Sequence, residues 1–224
     1  MEKYKIVFCG KTEEDKPLGE AIVDDDFVEM SAKTDCCNKS LKGRFTSCFI
    51  YQIKDELPEG CVAELGVYKG GITKFMASCF PDRTIYAFDT FEGMPSDLVG
   101  EKDRPDIIGE FQDVDDVLEY LNDPNIEIRK GLFPATTDGL ELNIFSLVHL
   151  DADIYESTLA GLQFFWPRMA YGGVIIMDDF EFGPAPGVRM AFDDYFGPNH
   201  PGLRTLLIDP ETGGPHIVSI KKMH

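Results

Sequence analysis

Asp151-Ala152-Asp153 and Asp178-Asp179 each close an apolar run, Ile144-Phe145-Ser146-Leu147-Val148-His149-Leu150 in one case and Val174-Ile175-Ile176-Met177 in the other. Such runs read as buried strands. Two like charges about 4 Å apart repel by roughly 4 kcal/mol even at an effective dielectric near 20. If both strand ends meet, four carboxylates share one small volume. Either several are then protonated, with raised pKa values, or a hard cation neutralises them. Three carboxylates from two strand ends suit a divalent ion with oxygen ligands, Mg²⁺ (or Mn²⁺), which keeps open positions for water or substrate. No His or Cys cluster accompanies them, which argues against zinc. Asp153, two residues past Asp151, can reach the same cavity without being a ligand, and a carboxylate there can take the proton of an alcohol that the ion has acidified. The plain alternative, a helix cap, suits Asp153 ahead of Tyr155 and suits Asp178-Asp179 poorly.

A second constellation precedes this one. Glu64-Leu65-Gly66-Val67-Tyr68-Lys69-Gly70-Gly71 lacks the second glycine of the dinucleotide fingerprint, because Tyr68 stands in its place. That glycine lets backbone approach a pyrophosphate. Nicotinamide and flavin dinucleotides therefore fit poorly, and with them the reading as an NAD-dependent oxidoreductase. An adenosine ligand without phosphate, such as S-adenosylmethionine, tolerates a side chain there. Asp89 lies 23 residues after Gly66, near the roughly 20 expected for a carboxylate that binds ribose hydroxyls; its plain alternative is an N-cap. His149, inside an apolar strand, reads as a hydrogen-bonded core histidine. Phe164, Phe165 and Trp166 read as core, and Arg189, near a helix start after Pro186-Gly187, reads as facing solvent, with contact to an acceptor as the alternative.

The elements that must position these residues alternate. Short apolar strands at 61–65, 83–88, 125–130, 144–150 and 174–177 are separated by helical patterns at 72–80, 114–121 and 155–169, with Tyr171-Gly172-Gly173 expected to cap the last. A loop spans 90–109. Strands alternating with helices imply a parallel sheet covered on both faces. After a helix at 188–196, strands at 204–208 and 216–220 are joined by a turn too short for a helical crossover, so they pair antiparallel. A parallel sheet finished by one reversed strand is the architecture of class I methyltransferases: α/β, Rossmann-like, seven strands, helices on both faces. In such sheets ligands sit outside the carboxyl ends of the strands, where Glu64, Gly66, Asp89, Lys130, Asp151, Asp153, Asp178 and Asp179 all fall. Upstream, 1–40 is polar and acidic with one strand candidate at 6–9, and Phe45, Cys48, Phe49, Ile53 and Leu57 recur at helical spacing until Pro58 and Gly60 stop the pattern. The expected division is an N-terminal extension or lid over 1–57, contributing to an acceptor site, and a methyltransferase domain over 58–224.

Composition narrows the partners. With 21 basic and 40 acidic residues in 224, the formal charge is −19, which argues against nucleic acid or an anionic membrane as partner. No apolar run approaches the roughly 18–20 residues of a membrane span. Met1–Cys9 lacks a signal-peptide core, and the six cysteines show no zinc spacing, so the expected setting is a reducing cytoplasm.

Four segments resemble the macrocin O-methyltransferase family: Ala63-Glu64-Leu65-Gly66-Val67-Tyr68-Lys69-Gly70-Gly71, Phe88-Asp89-Thr90-Phe91-Glu92-Gly93-Met94-Pro95, His149-Leu150-Asp151-Ala152-Asp153-Ile154-Tyr155-Glu156-Ser157-Thr158, and Gly172-Gly173-Val174-Ile175-Ile176-Met177-Asp178-Asp179-Phe180. The match runs from about Cys61 to Phe196, and 1–60 match poorly. The resemblance implies an O-methyltransferase that uses S-adenosylmethionine and Mg²⁺ on a sugar hydroxyl. By motif, Asp151, Asp178 and Asp179 would hold the metal and Asp153 would be the general base. Glu64, Gly66, Tyr68, Gly70, Asp89, Gly131 and Asp151 would line the methyl-donor site. A small-molecule or glycan acceptor is the expected partner, with a homodimer as an option. Methylation of a catechol or other vicinal phenol is the near alternative, since it uses a similar two-strand carboxylate site. A binding module without turnover is the remote one.

Overall fold

The computed structural model of the chain describes residues 3–9, 17–34, 41–112, 116–181, 186–208 and 214–223. Glu13-Glu14-Asp15, Cys36-Cys37, the start of the helix expected from 114 and most of the 209–214 turn lie outside them. The side chains of Cys48, Cys61 and Cys79 carry thiols, not disulfides. Among the described residues no helix is long and apolar enough to cross a membrane.

Strands β3 (Cys61–Leu65), β4 (Ile85–Asp89), β5 (Ile126–Lys130), β6 (Phe145–Leu150) and β7 (Met169–Met177) pair in parallel, and β8 (Leu203–Ile208) and β9 (Pro215–Lys221) close the sheet. The order is β5-β4-β3-β6-β7-β9-β8, with β9 antiparallel to both neighbours. The expected seven strands with one reversed are therefore present. Successive side chains point to opposite faces, so continuous apolar runs feed two cores. Val62, Leu147 and Ile176 enter the first with Phe75 and Met76 of α3 (Gly71–Cys79). Ala63, Val148, Ile175 and Met177 enter the second with Leu162 and Phe165 of α5 (Tyr155–Arg168) and Phe192 of α6 (Gly187–Phe196). The connections leave β3 toward β4 on one side and place β6 on the other, so the crevice for ligands opens between the carboxyl ends of β3 and β6.

Three expectations need correction. The segment 1–40 holds more than one strand: β1 (Lys3–Cys9) pairs antiparallel with β2 (Pro17–Asp24), and α1 (Asp25–Ala32) follows. Asp24 caps α1 by accepting from the Phe27 amide at 3.2 Å, and buried Phe27 meets Phe75 edge-on at 5.7 Å. The N-terminal segment thus shares the first core. Second, α4 is only Val117–Tyr120. Third, Tyr171-Gly172-Gly173 does not cap the 155–169 helix. Pro167 brings α5 to its end at Arg168, Met169 is already extended, and these residues form an irregular start to β7. The pairing with β6 jumps there from Phe145↔Met169 to Leu147↔Val174, as extra residues in one strand require.

The helix expected from Phe45, Cys48, Phe49 and Ile53 is α2 (Leu41–Ile53). It packs over the first core, and its start reaches the carboxyl ends of the strands.

Candidate active site

A cavity of about 680 Å³ opens at those strand ends. On one side lie the aspartates. Asp178 and Asp179 follow β7, and Asp151 and Asp153 follow β6; all four line the cavity. Their ligand-competent atoms form two overlapping sets, His149–Asp151–Asp178 and Asp151–Asp153–Asp179, each with its atoms within 4.8 Å of one another. Asp153 and Asp179 adopt left-handed backbone, with φ of 60° and 51°. Aspartate tolerates that region better than most residues, and the turn aims both carboxylates into the shared volume.

The charges there perturb one another. Burial and the Asp178 carboxylate push Asp151 up to about 7, against the pull of Lys42 and His149. Burial, Asp151 and Asp179 push Asp153 well above the usual carboxylate range. For Asp178 burial is outweighed by Lys42, His149 and His216, and its pKa falls below the ordinary value. Buried His149 bonds through Nδ1 to Glu64 Oε1 at 2.8 Å, in keeping with a hydrogen-bonded core histidine. Burial opposes its protonation, but Asp178 and Glu64 outweigh burial and hold its pKa well above the usual imidazole value.

Do these residues fit a divalent ion? Among the described residues, Asp178 Oδ1 and His149 Nε2 are buried atoms on the aspartate side with no hydrogen-bond partner. They are 3.9 Å apart, too far for a hydrogen bond. Orphaned buried atoms of this kind are rare and costly, and a hard cation would satisfy the Asp178 carboxylate oxygen. The oxygen-rich donor set fits Mg²⁺ or Mn²⁺.

On the other side lies the glycine loop between β3 and α3. Gly66 has φ +89°, and a Cβ there would stand 1.9 Å from the backbone oxygen of Asp151. Only glycine lets the first loop pass this close to the aspartate loop. Asp89 Oδ2 accepts from the amides of Val67 at 2.7 Å and Tyr68 at 2.9 Å, and Oδ1 accepts from Phe91 at 2.8 Å. Its first task is therefore to tie the loops after β3 and β4 together. Tyr68, at φ 48°, meets Phe111 edge-on at 5.2 Å on the cavity wall. Glu64 is buried, held by His149 and by the Thr73 hydroxyl. Gly131 also lines the cavity, its amide donating to Asp89 O at 2.9 Å. Gly70 is not among the lining residues; it caps α3 at φ 76°.

Sequence reasoning missed Lys42 and Arg104, which also line the cavity. Lys42 Nζ lies 2.7 Å from Asp179 Oδ2 and 3.6 Å from Asp178 Oδ2. Burial opposes its charge, yet Asp151, Asp178 and Asp179 hold its pKa well above the ordinary lysine value. Arg104 sits in the 90–109 loop, which buried Asp103 pins to α5 by accepting from the Tyr155 amide at 2.7 Å. Of the rim residues Lys130 goes elsewhere, pairing with Glu92 at 3.2 Å, and Arg189 of α6 does not face open solvent but pairs with Asp193 and Glu181.

The family model for macrocin-O-methyltransferase (TylF) matches residues 31–200. The chain belongs to this family. It is 31% identical over 169 residues to the 8-demethyl-8-(2,3-dimethoxy-alpha-L-rhamnosyl)-tetracenomycin-C 4'-O-methyltransferase of Streptomyces olivaceus, covering 67% of this chain and 62% of that protein. It is 29% identical over 155 residues to the demethyldecarbamoylnovobiocin O-methyltransferase of Streptomyces niveus, covering 61% and 58%. The matched region thus spans about three fifths of these relatives. Among solved structures, the O-methyltransferase NovP superimposes with a TM-score of 0.66 at 24% identity, covering 83% of this chain and 82% of that one. This likeness establishes a shared class I methyltransferase fold.

Proposed function

We propose that the protein transfers a methyl group from S-adenosylmethionine to a hydroxyl of a sugar or glycoside, with Mg²⁺ or Mn²⁺ at the aspartate site. One observation carries the reading: the glycine loop and four aspartates converge on a single cavity, with two buried polar atoms left unpartnered on the aspartate side. Membership of the family and the sugar-modifying relatives support the substrate class. Asp151, Asp178 and Asp179 would hold the ion, which would supply Lewis acidity toward the acceptor hydroxyl. Asp153 takes the hydroxyl proton as the methyl carbon passes to the acceptor oxygen and the broken bond's electron pair stays on sulfur. The like charges that raise its pKa make it the stronger base once it is ionised. Gly66, Tyr68, Asp89 and Gly131 shape the donor half, Asp89 by bracing the loops that would meet the ribose. Lys42, Gly43 and Thr46 of α2 line the cavity, so the 1–57 segment forms one wall of the acceptor site.

The test is transfer of labelled methyl from S-adenosylmethionine to a sugar panel, with and without chelator. Turnover that chelation abolishes and Mg²⁺ restores is expected. Asp153→Asn should retain donor and Mn²⁺ binding while turnover falls by about 10²–10⁴, the usual range for removing a general base. Activity indifferent to chelation would remove the ion from the reading, and full activity in Asp153→Asn would remove the base.

A further inference from the structure

Lys42 brings a positive charge to the place where the proposed ion would bind, and it does so from outside the sheet. It sits in the first turn of α2, 137 residues from Asp179 in sequence. Its ammonium contacts the Oδ2 atoms of both Asp179 and Asp178, the two neighbouring carboxylates of the β7 end. The other groups facing these carboxylates are the Asp151 and Asp153 carboxylates, with ligand atoms within 4.8 Å, His149, with Nε2 3.9 Å from Asp178 Oδ1, and His216, with Nε2 3.4 Å from Asp179 Oδ1. The lysine therefore covers the Oδ2 side and leaves Asp178 Oδ1 orphaned.

Geometry decides whether lysine and ion can coexist. An ion such as Mg²⁺ lies about 2.1 Å from each ligand oxygen. With Nζ 2.7 Å from Asp179 Oδ2, an ion on that same oxygen would lie at most about 4.8 Å from the ammonium. Both species are cations and both seek carboxylate oxygens, so each disfavours the other at that distance. The lysine has somewhere to go, since its side chain is 34% exposed.

Resting on the metal reading above, we propose that Lys42 is a tethered counter-ion: it neutralises the aspartates in the metal-free chain and withdraws when a divalent ion enters. Metal entry is thereby coupled to α2, whose Gly43 and Thr46 line the same cavity.

The experiment uses the full chain without donor or acceptor, and Mn²⁺ as the probe. Mn²⁺ affinity is measured by the electron-spin resonance of free ion for wild type, Lys42→Met and Lys42→Arg, together with thermal unfolding with and without Mn²⁺. Lys42→Met is expected to bind Mn²⁺ roughly ten-fold or more tightly, and Lys42→Arg within about three-fold of wild type. Metal-free Lys42→Met should melt below wild type, and Mn²⁺ should raise its melting temperature by more than it raises that of wild type. Backbone amide exchange across α2 should increase on adding Mn²⁺ to wild type and stay unchanged in Lys42→Met. If wild type binds Mn²⁺ and Lys42→Met binds it equally or less tightly, the counter-ion role is overturned and the metal reading stands. If neither binds Mn²⁺, both fall. Should Lys42→Met fail to fold without metal, Mn²⁺ is expected to restore a cooperative transition, and failure to do so also overturns the proposal.

Discussion

The two halves of the cavity solve the problem of buried charge in opposite ways. On the glycine-loop side, Asp89 spends its carboxylate on three backbone amides, two from the loop after β3 and one from its own. That half is finished before any ligand arrives. On the aspartate side, Asp151 and Asp153 have raised pKa values, and Asp178 Oδ1 and His149 Nε2 are buried without partners. Here the protein assembles like charges and leaves them partly unanswered. The contrast separates two uses of a carboxylate: satisfied by backbone amides it braces a site, and set against other carboxylates it has its ionisation opposed.

The largest way to break the comparison is to part the two halves. Gly66→Ala places a methyl group 1.9 Å from the Asp151 carbonyl at a φ of +89°, so backbone must move. A loss of about 4 kcal/mol or more in urea unfolding is expected, in the class of exceptional single-residue effects. A loss below about 1 kcal/mol would mean that the loops slide past each other freely and are not one site.

The same chemical change on each side should then have opposite signs. Asp89→Asn exchanges an acceptor oxygen for an NH₂ facing an amide N–H, and a destabilisation of about 2 kcal/mol is expected in metal-free urea titrations. Asp153→Asn removes a carboxylate that its neighbours resist ionising and should stabilise the metal-free chain by about 1 kcal/mol, as relieving a strained functional site commonly does. Equal signs for the two variants would erase the distinction between the halves.

A smaller effect separates the halves by pH. In the folded, metal-free chain burial and the Asp178 carboxylate push Asp151 up to about 7, against roughly 3.9 when unfolded. Between these values the folded chain holds the extra proton, so this group's contribution to stability falls as pH rises through the window. On the proposed metal reading, a divalent ion would bind the ionised carboxylate and offset that loss. Mg²⁺ should therefore raise the melting temperature more at about pH 8 than at about pH 5. An equal rise at both values would show that Lys42 already keeps Asp151 ionised.

Much of the fold was legible because its signals are local. The apolar runs, the glycine loop, the Leu57-Pro58 stop and the short connection between β8 and β9 each restrict the chain within a few residues. One local signal was present and missed: Asp24 followed by Asp25-Asp26 is a cap with an acidic first turn, and it starts α1. Tyr171-Gly172-Gly173 misled for the opposite reason. Its glycines satisfy a helix-cap pattern, but backbone bonds with Lys222, whose carbonyl accepts from Gly172 at 2.7 Å and whose amide donates to Gly173 at 2.9 Å, draw them into the sheet.

The sequence by itself determined the order of strands and helices and the residues at each strand's carboxyl end, because periodicity and turn chemistry act over short spans. It also determined that four aspartates would need an answer to their charge. Which groups stand among them was decided by tertiary structure alone. Lys42 lies in an unremarkable helical pattern, and His149 in an unremarkable strand. Their part depends on distances of a few ångströms between residues far apart in the chain, and electrostatic energy at such distances responds to position and burial rather than to sequence neighbours.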